Sequence, residues 1–230
     1  MADILTSKVI WTILLTGVIP TLLWLFFWLR EDRFQPEPRG LLILTFFAGA
    51  LAVFLILPLE QFVKSLGVIG TEKILIFAAA EELVKFGVVF LIDFHSSYLD
   101  EPIDYAIYLI TGALGFATAE NVLFLLEPSL RQDISFVIET GTLRFLGASI
   151  LHSVLAAILG IIIGFVFYKS RATRIRFTLI GLGVVIILHT FFNYFIIKYV
   201  EINGFLTLGI LWLVTLFIIA MFEKVRSINH

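Results

Sequence analysis

The sequence predicts an all-α polytopic transmembrane helical bundle of about seven spans. Three observations carry that prediction. Of the 230 residues 60% are hydrophobic and only 15% charged, the mean hydropathy is +1.05, and apolar runs recur at close to the roughly 20 residues that a bilayer-spanning helix needs. A soluble domain has an apolar share nearer half. The net charge of −2 conceals apolar runs separated by short charged connectors, so nothing points to a nucleic-acid partner, and the lipid bilayer is the expected surrounding. The chain has no Cys, which excludes disulfides, thiolate metal sites and a cysteine nucleophile. Residues 1–230 read as a single integral membrane domain.

The first four spans are expected over Val9–Leu29, Gly40–Leu59, Lys73–Ile92 and Ile103–Leu126. From Ile134 to Tyr168 the stretch is too long for one ordinary span and contains Glu139 and Arg144. An interfacial or partly buried helix is therefore expected before a fifth span that starts near Ala148. The sixth and seventh spans are expected over Phe177–Tyr199 and Gly204–Phe222. The first span runs into "WLFFWLREDRFQPEPRG" with no small-residue cleavage site, so it is expected to stay attached. Asp104 precedes the apolar run of the fourth span and is expected to cap it.

Basic residues set the orientation. Arg30, Arg33 and Arg39 lie in the first connector, Lys169, Arg171, Arg174 and Arg176 in the fifth, and Lys224 and Arg226 in the tail. With seven spans these fall on one side, which the positive-inside rule makes cytoplasmic. The other side holds chiefly Lys8, Lys64 and Arg131, so the amino terminus is expected outside.

Polar residues interrupt the spans at particular places. Glu81, Glu82 and Lys85 sit in the third span, Glu120 and Asn121 in the fourth, His152 in the fifth, and His189 and Asn193 in the sixth. One ionised side chain at the bilayer centre costs about 2.5 to 3.5 kcal/mol on insertion scales, so several together imply a shared polar cavity or mutual pairing. At about 1.5 Å per residue, Glu81, Glu120, His152 and His189 lie roughly 12, 9, 6 and 15 Å below the outer ends of their spans. Four antiparallel spans thus bring polar groups to similar depth in the outer leaflet. His152, Ala156, Gly160 and Gly164 form one stripe whose small residues permit close packing. Glu82 is rotated about 100° from Glu81, so the two carboxylates divide their roles.

Carboxylates and imidazoles in a wet intramembrane pocket suit peptide hydrolysis. A carboxylate takes a proton from water, and an imidazole or amide stabilises the oxyanion. Glu81, Glu82, Glu120, His152 and His189 are the candidate catalytic residues, with Glu81 or Glu82 activating water, and Lys85, Asn121, Arg144 and Asn193 support them. Neither G-x-S-x-G nor H-E-x-x-H occurs, which argues against a serine hydrolase or an ordinary zincin. Zinc held by Glu82, Glu120, His152 and His189 stays open beside a metal-free, glutamate-activated water. Two other classes use the same residues: a proton-coupled transporter or channel with a Glu/His relay, and a non-catalytic scaffold that binds a partner's transmembrane helix.

"EELVK" (Glu81–Lys85), "DYAIYLITGALGFATAENVLF" (Asp104–Phe124), the Arg144–His152 segment and "HTFFNYF" (His189–Phe195) together resemble the ordered motifs of the PrsW intramembrane protease family. The resemblance covers about half the chain and reaches distantly to the CAAX prenyl endopeptidases. It implies that Glu81 and Glu82 are the family's paired glutamates, Glu120 its second acidic position, and His152 and His189 its two histidines. It also implies a membrane-anchored protein substrate, cut as in site-1 cleavage of anti-sigma factors, on the extracytoplasmic side of a bacterial cytoplasmic membrane.

Overall fold

Helix α1 (Ser7–Ile13) passes through a π-helical turn at Leu14–Val18 into α2 (Ile19–Leu29). Helices α3 (Arg39–Ser65), α4 (Gly70–Ile92), α5 (Asp104–Leu130), α6 (Ile134–Leu143), α7 (Ser149–Gly164) and α8 (Arg171–Arg226) follow. The computed structural model describes residues 7–30, 35–130 and 134–226. Arg33 and Arg131, which entered the charge count, lie outside them. Five described stretches are long and apolar enough to cross a membrane: Ile10–Leu29, Arg39–Ser65, Asp104–Leu126, Val137–Gly164 and Arg171–Lys198. Leu208–Phe222 is a shorter apolar stretch. Helix α4 falls outside this set because it carries Glu72, Lys73, Glu81, Glu82 and Lys85.

Two parts of the helical layout refine the expected spans. The helix expected before the fifth span is α6, buried at Val137 and Gly141, and α7 starts at Ser149. The two are continuous through a π-helical turn at Arg144–Ala148, and Val137–Gly164 forms one apolar stretch of 28 residues. Arg144 needs no interface, because it donates to the Glu120 carboxylate of α5 at 2.6 Å. The π turn, a wider local winding that favours functional sites, sits where this contact is made.

The second is α8, whose two arms are the predicted sixth and seventh spans. A Cβ added at Gly147 would lie 3.2 Å from Leu208 Cδ2 and 3.7 Å from Phe192 Cζ. On a straight helix those residues stand about 24 Å apart. The segment therefore doubles back between them. At the far end of α7 the same pairing recurs, with Gly181 against Leu159 and Gly164 against Val225.

Helices α5 and α7 form the centre. From Asp104 to Thr118, α5 is buried on every face, the expected state of a helix that is apolar nearly all round. Glycines let its neighbours approach. A Cβ at Gly49 of α3 would overlap the Gly112 carbonyl of α5, and one at Gly115 would overlap the Phe46 carbonyl. On the other side Gly160 lies against Ala106 and Gly164 against Pro102, so the small-residue stripe of α7 is its contact with α5. Between α3 and α4, Gly67 and Gly70 take φ of 71° and 69°, a region that glycine enters without steric penalty.

The end of the bundle away from the histidines holds buried acids. Asp104 accepts from the backbone amides of Asp100 and Glu101 at 2.9 and 2.6 Å, so its side chain orders the preceding loop. Tyr108 donates to Glu37, and Thr45 donates to Asp93 at 2.7 Å. Asp93 lies just past the end of α4, and burial pushes its carboxyl up to about 7 against the Thr45 bond.

Two outcomes follow from this packing. Gly49→Ala should cost about 1–3 kcal/mol through overpacking, read as a lower thermal midpoint in detergent; a midpoint at or above that of the parent chain contradicts the close contact. For Asp93, both folded and unfolded chains hold the proton below about pH 4. Between there and about pH 7 only the unfolded chain releases it, so the folded state loses stability as pH rises. Asp93→Asn should abolish that slope, and its midpoint should rise relative to the parent between about pH 5 and about pH 8. Parallel pH profiles would refute the assignment.

Candidate active site

Five charged or imidazole side chains from α4, α7 and α8 meet in the interior at 2 to 7% exposure: Glu81, Glu82, Lys85, His152 and His189. Glu120 and Asn121 join them from α5, and Arg144 from the π turn before α7. Glu82 and Lys85 are three residues apart, so they share a face of α4, and the lysine donates to Glu82 Oε1 at 2.5 Å. Lys85 also reaches His152 Nδ1 at 2.9 Å and lies 5.2 Å over the Phe116 ring.

These bonds fix the imidazole tautomers. An ammonium only donates, so His152 Nδ1 accepts and its Nε2–H donates to Glu120 Oε2 at 3.2 Å. A carboxylate only accepts, so His189 Nδ1–H donates to Glu82 Oε1 at 2.7 Å. His189 Nε2 then presents a lone pair to Glu81 Oε2, 3.7 Å away. Glu81 Oε2 is buried with no hydrogen-bond partner. Two acceptors face each other with nothing positive between them.

That mismatch is what a cation or a proton would resolve. Donor atoms of Glu81, His152 and His189 all lie within 4.8 Å of one another. Two ligands of a tetrahedral zinc ion stand about 3.4 Å apart at ordinary bond lengths, close to the Glu81–His189 gap. The donor set is the nitrogen and oxygen mix that such an ion takes. Glu82 lies behind His189 as an orienting carboxylate, the usual partner of a metal-binding imidazole.

Glu120 has its own holder. Arg144 donates from Nη2 to Glu120 Oε2 and from Nε to Asn121 Oδ1, both at 2.6 Å. The guanidinium also lies 4.2 Å over the Phe124 ring. Asn193 is half buried one turn beyond His189 and makes none of these bonds. The sequence reading did not single out Ser149, which accepts from Asn121 at 3.1 Å, or the Thr21–Thr118 bond of 2.6 Å beside it. The available signal for Ser149 was spacing, three residues before His152 on one helical face.

A family model described as PrsW family intramembrane metalloprotease matches residues 37–222, a range that contains Glu81, Glu82, Glu120, His152 and His189. The chain belongs to the PrsW family. "Protease PrsW" of Geobacillus kaustophilus (strain HTA426) is 31% identical over 158 residues, covering 67% of this chain and 65% of the relative. "Protease PrsW" of Bacillus subtilis (strain 168) is 24% identical across 79% of this chain and 81% of its own length. The protein of that name from Clostridioides difficile (strain 630) is 26% identical across 94% and 91%. No solved structure matches at a significant level. The chain is an integral membrane protein and a peptidase of this family.

Glu82→Gln keeps the size of the side chain but weakens its hold on His189 and Lys85. It should lower zinc affinity by about 10–100-fold, measured by competition with a chromogenic chelator on purified protein. Unchanged affinity would remove Glu82 from the orienting role.

Proposed function

We propose that this PrsW-family protein hydrolyses a peptide bond of a membrane-anchored protein at the buried Glu/His cluster, near the extracytoplasmic face. The observation that carries the reading is the Glu81, His152 and His189 group with its unpartnered carboxylate oxygen. These three would hold a divalent ion such as zinc, which when bound supplies a Lewis acid to polarise the scissile carbonyl. Glu82 and Lys85 fix His189 with its Nε2 lone pair toward Glu81. Of the His152 ring nitrogens Nδ1 accepts from Lys85 and Nε2–H donates to Glu120, so Nε2 would be free for the ion only in the Nδ1–H tautomer.

Glu120 is also the group assigned to the proton from attacking water. Its anchored oxygen is held by Arg144 and His152, and its side chain is 19% exposed at the edge of the cluster. The proton then passes to the departing amine. Asn193, one turn from His189, is assigned to the oxyanion. The metal ligands named from the sequence were Glu82, Glu120, His152 and His189; the geometry favours Glu81 in place of the two other glutamates. The cluster lies at the bundle end where the seven-span reading, counting α4 and both arms of α8, puts the exterior. A substrate of the anti-sigma-factor kind is in keeping with that side.

The test is co-expression with a tagged single-span substrate. Glu81→Ala, Glu120→Ala, His152→Ala and His189→Ala should each abolish the cleaved fragment, and Glu82→Ala should reduce it by about 10–100-fold. Cleavage retained in all five variants, or ion flux in proteoliposomes without cleavage, would reject the protease.

A further inference from the structure

Asn121 is 1% exposed, and both ends of its amide are used. Its Oδ1 accepts from Arg144 Nε at 2.6 Å. Its Nδ2 donates to Ser149 Oγ at 3.1 Å and to the Gly17 carbonyl at 3.4 Å. Gly17 lies in the first π-helical turn and Arg144 opens the second. One side chain therefore bonds both unusual turns and the start of α7. Gly17 makes room for it, because a Cβ there would sit 3.1 Å from Leu125 Cδ1 and 3.7 Å from Asn121 Cβ.

Arg144 is planar, and its Nε and Nη2 lie along one edge. That edge spans two consecutive residues, with Nε on Asn121 and Nη2 on Glu120. Two bonds on one edge fix the plane of the guanidinium; one bond alone would leave it free to swing about Glu120. The carboxylate oxygen so held, Oε2, is the one that receives His152 Nε2–H.

We propose that Asn121 is a positioning residue: by seating Arg144 from the two π turns, it aims the Glu120 carboxylate at His152. The role rests on the protease reading for its kinetic consequence, while the aim of Glu120 is a property of the folded chain alone. An amide is required because the position needs one acceptor and one donor. Leucine matches its size and supplies neither, and aspartate supplies only the acceptor.

Two measurements on full-length protein in detergent test this. The infrared difference between the parent chain and Glu120→Gln isolates the Glu120 carboxylate bands. Asn121→Leu should shift those bands, and Arg144→Leu should shift them further. In cleavage of the tagged substrate, Asn121→Leu should lower kcat about 10–100-fold with KM within about twofold, and adding it to Arg144→Leu should lower kcat no further. Asn121→Asp, which keeps the Arg144 contact, should recover part of the loss. Unmoved Glu120 bands in Asn121→Leu overturn the positioning role whether or not the protein cleaves. Losses that add in the double variant overturn its action through Arg144. Failure of the parent chain to cleave while the bands still shift rejects the protease and leaves the positioning intact.

Discussion

One carboxylate oxygen organises the interior of this bundle: Glu82 Oε1 accepts from both Lys85 and His189. Charges inside a low-dielectric core persist only when paired and hydrogen-bonded, because desolvation costs several kcal/mol per ion. Lys85 offsets Glu82, and Arg144 offsets Glu120. Glu81 feels the Lys85 charge but forms no ion pair with a lysine or arginine among the described residues, and it is also the residue with the buried unpartnered oxygen. The charge balance and the geometry therefore single out the same side chain as the one facing a missing positive charge. An arrangement that completes two glutamates and leaves the third open is poor as a purely structural network and apt for binding.

Backbone packing makes that arrangement reachable. The direct bonds among the glutamates, Lys85 and the histidines are 2.5 to 3.2 Å long, so the helices that carry them must lie close. Glycines at 49, 112 and 115 bring α3 against α5, and those at 160 and 164 bring α7 against α5. Larger residues there would push these helices apart. Small-residue contacts are the usual way for transmembrane helices to approach, since no hydrophobic force favours one apolar neighbour over another in lipid. Tight packing and the polar cluster are thus two consequences of one placement of residues along α5 and α7.

The sequence exposed the members of the cluster because ionisable groups are rare inside apolar spans, and depth counting along each helix brought them to one level. The stripe from His152 to Gly164 was legible for the same reason: a four-residue spacing keeps one helical face. It did not expose the second α5 contact at Gly49 and Gly115, because those glycines follow no simple spacing with a partner helix. The π turns were also hidden, since Leu14–Val18 and Arg144–Ala148 look like ordinary helix in composition. Arg144 was legible as a residue supporting the site, but its partners Glu120 and Asn121 were not. The acids at the opposite end, Glu37, Asp93 and Asp104, lie in connectors or at helix ends, where charge is unremarkable until burial is known.

The sequence by itself determined that the chain is helical, lives in a membrane, and carries two adjacent glutamates, a third acid and two histidines within its apolar spans. Hydropathy and helical period are local quantities, so they survive without coordinates. Only the tertiary structure decided which glutamate has a lysine, which has an arginine, and which is left facing an imidazole lone pair. Those assignments turn on distances of a few ångströms between different helices, and no spacing along one helix encodes them.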